Sequence, residues 1–235
     1  MTYVGFIPCR SGSERVLNKN TRPFAGFAGG LLELKLLQMS QVEALDSIIV
    51  SSNDQAVLDY AADFAAQRDA RVQPVPRPDE LGRSSTTMDE FILYIARLRE
   101  AGTIVWTHVT SPFLTARHYA DSIRAYELAV EAGHDCLVSV TKLQRFIWDE
   151  KGPVNYDPGL LKWPRSQDLR PLYEINHGMY IMPFAKMREW GDRVGQAPFF
   201  HELDEHDALD IDWEPQFHFL EQVTLLRRQG GQKLA

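Results

Sequence analysis

The chain of 235 residues is 44% hydrophobic with two cysteines, enough apolar content for a sizeable core in one main domain. Its formal net charge of −7 excludes a general nucleic-acid or membrane-surface binder, because a surface of that sign repels phosphate-rich partners. No apolar run approaches the ~20 residues needed to cross a bilayer and no charged-then-apolar leader is visible, so a cytoplasmic location is expected.

The run YVGFI (3–7) is short and β-prone and predicts a buried first strand. It opens into IPCRSGSERVLNKN (7–20). There Ser11, Gly12 and Ser13 let backbone N–H groups approach an anion, and Arg10, Arg15 and Lys19 supply cationic donors. The composition fits a phosphate-holding loop and, equally on its own, a solvated basic turn. Its spacing is neither that of the P-loop nor GxGxxG. In an acidic protein, such a loop points to a small anion. Cys9, at the loop's mouth, and Cys136 read as buried structural residues, a catalytic thiol at Cys9 being the lesser reading.

Apolar β-rich runs then alternate with helical spacing: a helix over 31–45, a strand over 46–52, a helix over 55–69 and a short strand over 71–75. A helix over 87–102, a strand over 103–109, a helix over 116–133 and a strand over 135–142 follow. This order predicts an α/β fold, a mostly parallel central sheet with helices on both faces and ligands at the carboxyl ends of the strands. VSSND (50–54) suits a ligand edge or an ordinary turn. In PRPDELGRSSTT (76–87), Arg77 is either a base or phosphate contact or a solvated loop residue, and one of Ser84 to Thr87 caps the next helix. Within HVTSPFLTA (108–116), Thr110 and Ser111 offer hydroxyl and backbone donors at a strand end, Thr115 is an N-cap, and His108 is a sugar ligand or, more simply, a buried satisfied histidine.

The pattern breaks between about 143 and 175, where three Trp or Phe positions, four prolines and two Gly turns predict a hairpin-rich insertion, an active-site rim or a dimer contact, or a decorated loop. A strand over 178–182, a helix near PFAKMREWG, an acidic loop and a last helix over 215–229 complete the chain. His201 and His206 in the acidic stretch match no strong zinc spacing and read as part of a solvated loop. In ALDIDWE (208–214), residues two apart in an extended segment point the same way, so Asp210 and Asp212 present paired carboxylates while Leu209, Ile211 and Trp213 turn to the other side. Such a pair suits Mg²⁺ held jointly with substrate phosphates, or else caps the following helix.

In order, IPCRSGSERVLNKN, IIVSSND, RPDELGRSSTT, THVTSPFLTA, INHGMYI and ALDID resemble the cytidylyltransferases that activate sialic acid and related nonulosonic acids as CMP-sugars. The likeness runs over nearly the whole chain. It implies a Rossmann-like nucleotidyltransferase fold in a single domain over 1–235, CTP and a sugar acid as substrates, Mg²⁺, pyrophosphate as product, and a homodimer using the insertion. By the same resemblance Arg10, Ser11, Gly12, Ser13, Lys19 and Asn20 embrace the CTP phosphates, with Arg15 beside them. Arg77 with Ser84, Ser85 and Thr86 lies near cytosine and ribose, and Asp210 and Asp212 hold the metal. His108, Thr110 and Ser111 face nucleotide and sugar. Asn176 and Tyr180 fall in the family's Asn-Gly-x-x-Tyr segment, Phe199 and Phe200 form an apolar wall for the sugar's acyl group, and Arg165 precedes a segment resembling Arg-Gln-Asp-Leu.

The chain departs from that pattern at Glu14, where the family has Lys, at Leu17 for Pro, at His108 for Gln and at Leu114 for Arg. An anion about 4 Å from a triphosphate charge repels it by ~4 kcal/mol at an effective dielectric near 20. Arg15 takes a place filled by an arginine in the related family that activates the eight-carbon acid Kdo. The expected reaction is CMP transfer to a nonulosonic acid; transfer to Kdo or another sugar acid, or a non-catalytic nucleotide-binding relative, are the alternatives.

Overall fold

β1 (Tyr3–Pro8) sends Tyr3 and Ile7 into one apolar layer and Val4 and Phe6 into another. That period-2 division over a strand buried from Tyr3 to Ile7 is what a sheet covered on both faces requires. The computed structural model describes residues 1–235 and bears this out. β1 is followed by α1 (Gly30–Ser40), β2 (Leu45–Ser52), α2 (Gln55–Gln67), β3 (Val72–Pro76), α3 (Met88–Ala96), β4 (Thr103–Trp106) and α4 (Ala116–Glu131). Then come β5 (Cys136–Leu143), β6 (Trp148–Asp149), β7 (Gly152–Pro153), β8 (Leu172–Pro183), α5 (Phe184–Trp190), β9 (Pro198–Glu202) and α6 (Glu214–Gln229). No helix is long and apolar enough to cross a membrane.

Seven strands form one sheet in the order β3-β2-β1-β4-β8-β5-β9. β1 pairs in parallel with β2 and β4, β2 with β3, and β5 with β9, whereas β8 runs antiparallel to both β4 and β5. The chain order reverses direction across the sheet between β1 and β4, and the crevice beyond their carboxyl ends is where such sheets hold ligands. Because β8 is antiparallel, Tyr180 sits opposite Trp106 at the end of β4. The segment just before Tyr180 therefore reaches the same edge.

Helices α1, α2, α4 and α6 cover one face and contribute to the larger apolar cluster; α3 and α5 cover the other. α1 comes so close to β1 that a Cβ on Gly5 would meet Met39 at 2.9 Å. α3 stops at Ala96, short of the expected 102, because Arg188 of α5 donates to the free carbonyls of Ala96, Arg99 and Glu100. Thr87 is the member of the hydroxyl run that caps α3, in a capping box with Glu90.

Three expectations need correction. The strand expected over 178–182 begins at Leu172, since residues 172–175 pair with 140–143 of β5. The intervening insertion is thereby shortened. It contains the β6-β7 hairpin and is pinned by the buried Asn155, which donates to the carbonyls of Arg145 and Arg170. Residues 198–202, expected in loop, form β9, an edge strand beside β5. Trp213, expected to share the side of Ile211 away from the aspartates, does not join the buried Ile211 but lies on the surface under the Arg15 guanidinium, which is 5.2 Å from its ring centre.

Candidate active site

The loop after β1 is built by backbone geometry before its charges matter. Gly12 turns at φ +67°, a conformation a Cβ disfavours. The Cys9 N–H donates to Ser51 O at 2.9 Å, the Ser11 N–H to Asn53 Oδ1 at 3.0 Å, and Asn53 Nδ2 to Ser11 Oγ at 2.8 Å. Asn20 Nδ2 closes the loop on Arg10 O at 3.1 Å. VSSND is therefore the fastening of this loop. Asn53 clasps it, and Asp54 caps α2 through the Ala56 N–H.

The far end of the chain is tied to the same loop. Arg15 Nη2 lies 2.8 Å from Asp212 Oδ1, and Lys19 Nζ donates to Ile211 O, between the two aspartates, at 2.8 Å. The Ile211 N–H in turn donates to Thr110 O at 3.0 Å. Three segments distant in sequence thus meet at the carboxyl ends of β1 and β4, around a cavity of about 610 Å³. That volume falls in the range of small-molecule sites.

Arg10, Ser13, Arg15, Lys19 and Asn20 line the cavity from the β1 loop, and Arg77, Ser84 and Thr86 from the β3 side. His108 and Thr110 after β4, with Asp210 and Asp212, complete the residues that the sequence singled out. Arg77 is buried, its guanidinium 4.7 Å from the Phe91 ring centre, and one Nη donates to Ser51 O. Asp210 Oδ1 is buried and has no hydrogen-bond partner. Burial raises its pKa, with the Asp212 charge adding to the rise while Thr110 and Lys19 oppose it. An uncompensated carboxylate oxygen beside a second carboxylate has the chemistry of a hard-cation site with few protein ligands. No group of three or more His, Cys, Asp or Glu side chains could hold a metal unaided, and His201 lies in β9.

Other expected site residues stand elsewhere. Ser11 is occupied with Asn53, Ser85 does not line the cavity, and Gly12 borders a separate hollow of about 40 Å³ beside the loop. Ser111 is fully buried, its carbonyl accepting from Lys35 Nζ at 2.9 Å. Asn176 is buried as a brace, accepting from Ser139 Oγ at 2.6 Å and donating to Thr141 Oγ1 at 3.1 Å. Tyr180 is buried behind the wall with its hydroxyl 2.7 Å from His177 Nδ1. Phe199 and Phe200 belong to the outer strand β9, where Phe199 packs against His134 and Phe200 against Tyr173. Arg165 is paired with Asp168 on the surface of the insertion. Phe199, Phe200 and Arg165 are thus outside the cavity of this chain.

The wall also includes residues that the sequence did not mark, among them Arg83, Phe91, Trp106, His177 and Arg193. Trp106 looked like an ordinary core position in a strand. His177 carried a usable signal, a bulky residue beside Gly178, and it adopts φ +56°, a strained value typical of functional positions. His108 has a buried Nε2 without a partner, so it is not the satisfied core histidine of the simpler expectation. Its pKa is pushed down to about 3, by burial first and then by the Arg193 charge, which makes it a neutral imidazole. Glu14, the departure from the family pattern, lies on the cavity rim and is exposed. Both cysteine thiols are buried and pushed up to about 12 by desolvation, so neither is a nucleophile.

The sequence pattern that defines a family described as cytidylyltransferase matches residues 4–183, three quarters of the chain. The chain belongs to the cytidylyltransferase family. An N-acylneuraminate cytidylyltransferase A of Danio rerio is 26% identical over 229 residues, covering 93% of this chain and 50% of that protein. An N-acylneuraminate cytidylyltransferase of Escherichia coli O18:K1:H7 is 23% identical over 242 residues, covering 98% of this chain and 54% of that one. The chain thus spans about half the length of the curated relatives it matches. Among solved structures, a CMP:2-keto-3-deoxy-manno-octonic acid synthetase complexed with CTP superposes with a TM-score of 0.67 at 12% identity, covering 98% of this chain and 100% of that one. A 4-diphosphocytidyl-2C-methyl-D-erythritol synthase of Anaerococcus prevotii gives 0.65 at 15% identity, with 97% and 96% covered. At such identities the two structures establish the fold.

Proposed function

We propose that this cytidylyltransferase transfers CMP from CTP to the anomeric hydroxyl of a nonulosonic acid and releases pyrophosphate. The observation that carries the proposal is the junction of the cationic β1 loop with the Asp210–Asp212 segment at one cavity, through Arg15–Asp212 and Lys19–Ile211. Phosphoryl transfer needs little covalent help from a protein. It needs positioning and charge stabilisation, which such a junction supplies. The hydroxyl attacks the α-phosphorus and the bond to the β-phosphate oxygen breaks. Arg10, Arg15 and Lys19 stabilise the departing pyrophosphate, Arg77 with Ser84 and Thr86 hold the nucleoside end, and Thr110 keeps Asp210 in place. Asp210 and Asp212 would hold Mg²⁺, which supplies Lewis-acid neutralisation of phosphate charge when bound; the orphaned Asp210 Oδ1 favours that assignment.

The N-acylneuraminate cytidylyltransferases among the relatives support a sialic-acid-like acceptor, and the 2-keto-3-deoxy-manno-octonic acid synthetase supports an eight-carbon acid as the second choice. Glu14 at the rim favours a non-catalytic nucleotide binder as the third. A homodimer through the insertion is part of the proposal, because Trp148, Leu160, Leu161 and Trp163 all stand exposed there, with the rings of Trp148 and Trp163 stacked side by side. The test is pyrophosphate release with Mg²⁺ across N-acetylneuraminic, legionaminic, pseudaminic and Kdo-type acids, with UTP and ATP as controls. Release that requires CTP and one acid is the expected result. Preference for another nucleotide overturns the assignment, and CTP binding without release from any acid supports the non-catalytic alternative.

A further inference from the structure

Arg193 is the one cation of the cavity wall that belongs to neither the phosphate loop nor the β3 side. Gly191, at φ +65°, ends α5 and turns the chain back over the sheet. Arg193 then lies across two rings, its guanidinium carbon 5.0 Å from the centre of Trp106 and 4.4 Å from that of Tyr180. Its nearest acidic neighbour in sequence, Asp192, is already engaged, since Asp192 Oδ1 accepts from the backbone N–H groups of Arg193 and Val194. The guanidinium itself makes no ion pair with any carboxylate. Burial works against its charge, and the nearby Tyr180 and Asp192 offset only part of that cost.

The sheet order says which part of a bound ligand this cation faces. Arg77 donates to Ser51 at the end of β2, while Arg193 covers Trp106 of β4 and Tyr180 of β8. Between β2 and β8 lie three strand spacings, roughly 14 Å, with the phosphate loop of β1 between them. Nucleoside on the Arg77 side and phosphates over β1 leave the β4-β8 end for the acceptor. At that end the neighbours are His108, with its orphaned buried Nε2, and Trp106, whose Nε1–H is also buried without a partner. These are uncharged donors and acceptors suited to a sugar. Arg193 is the only cation in contact with either Trp106 or Tyr180.

We propose that Arg193 binds the carboxylate of the acceptor acid through its planar fork, and so makes this end of the cavity select acids over neutral sugars. Stacking on Trp106 and Tyr180 holds the fork in one orientation before the acid arrives, which limits the ordering cost of binding. The assignment rests on the transfer of CMP to a sugar acid proposed above.

The test compares the accepted acid with its uncharged carboxamide in the full-length protein, with CTP and acceptor varied separately. The wild type is expected to favour the acid by about tenfold to a hundredfold in kcat/KM, the range for loss of a charged hydrogen-bond pair. Arg193→Met is expected to raise KM for the acid by that factor, to leave KM for the carboxamide and for CTP within twofold, and so to abolish the preference. Arg193→Lys, which keeps the charge without the fork, is expected to restore part of it. A wild type that uses acid and carboxamide equally well overturns the role of Arg193 while leaving cytidylyl transfer intact, and this result does not depend on any variant folding. An Arg193→Met enzyme that loses both acceptors equally, or loses CTP binding, also overturns it. If no acid is used while CTP is bound, the transfer proposal fails, and this one with it.

Discussion

Lys35 lies in α1 with no exposed surface, its Nζ donating to Ser111 O at 2.9 Å and to Tyr119 Oη at 2.6 Å. Burial pushes its pKa down to about 7, against the pull of Asp210. In the unfolded chain the group stays protonated up to its ordinary value near 10.5. Between pH 7 and 10.5 the unfolded state therefore binds one more proton than the folded state, so stability rises with pH by about 1.4 kcal/mol per pH unit. The full interval is worth about 5 kcal/mol, and the part between pH 7 and 9 about 2–3 kcal/mol. Below pH 7 the cost of the buried ammonium is fully present. Lys35→Met keeps the stem and removes the titration, at the loss of the bond to Ser111 O; Tyr119 retains Thr107 Oγ1 at 2.8 Å. The variant should match or exceed the wild type at pH 6 and fall below it at pH 9. Urea unfolding at a series of pH values measures the difference directly, and thermal melts should show it as a relative shift of roughly 4–10 °C. A wild-type minus variant difference that stays flat from pH 6 to pH 9 refutes the assignment of a neutral Lys35 near pH 8.

Two substitutions in the cavity give further expectations. Asp212→Asn removes half of the carboxylate pair while breaking an ion pair whose side chains are 48% and 44% exposed. Such a pair contributes about 0–1 kcal/mol; pyrophosphate release should fall about a hundredfold or more with a melting temperature within a few degrees of the wild type. Glu14→Lys exchanges an exposed anion at the rim for a cation. At that exposure the dielectric is close to that of water and each charge at 4 Å is worth about 1 kcal/mol, so KM for CTP should fall roughly fivefold to thirtyfold. An unchanged KM would place Glu14 away from the phosphates.

The parts of the fold and cavity legible in the sequence are those whose signal is local. The β1 loop announces itself through small residues and three cations within ten positions, and Asp210 with Asp212 through period-2 spacing. Even Arg77 is marked by a rigid Pro-Arg-Pro. What the sequence concealed depends on long-range pairing. The antiparallel β8 sets which of Asn176, His177 and Tyr180 faces the cavity, and it turns His177 outward while burying the other two. The resemblance assigns Phe199 and Phe200 to a pocket wall, but β9 pairs with β5 at the sheet edge and carries them away from the cavity. Ser111 and Thr110 are adjacent, yet Lys35 draws one into the core while the other faces Asp210. Arg193 belongs to no local pattern; its place follows from the turn at Gly191 and from two rings on different strands.

The most direct test of the central claim follows the α-phosphate of CTP. With α-phosphorus-labelled CTP, Mg²⁺ and the accepted acid, the label should appear in a single product containing cytidine and the acid joined through one phosphodiester, formed one for one with pyrophosphate. Label that remains in CTP, or that is recovered only as CMP, would contradict transfer to a sugar acid.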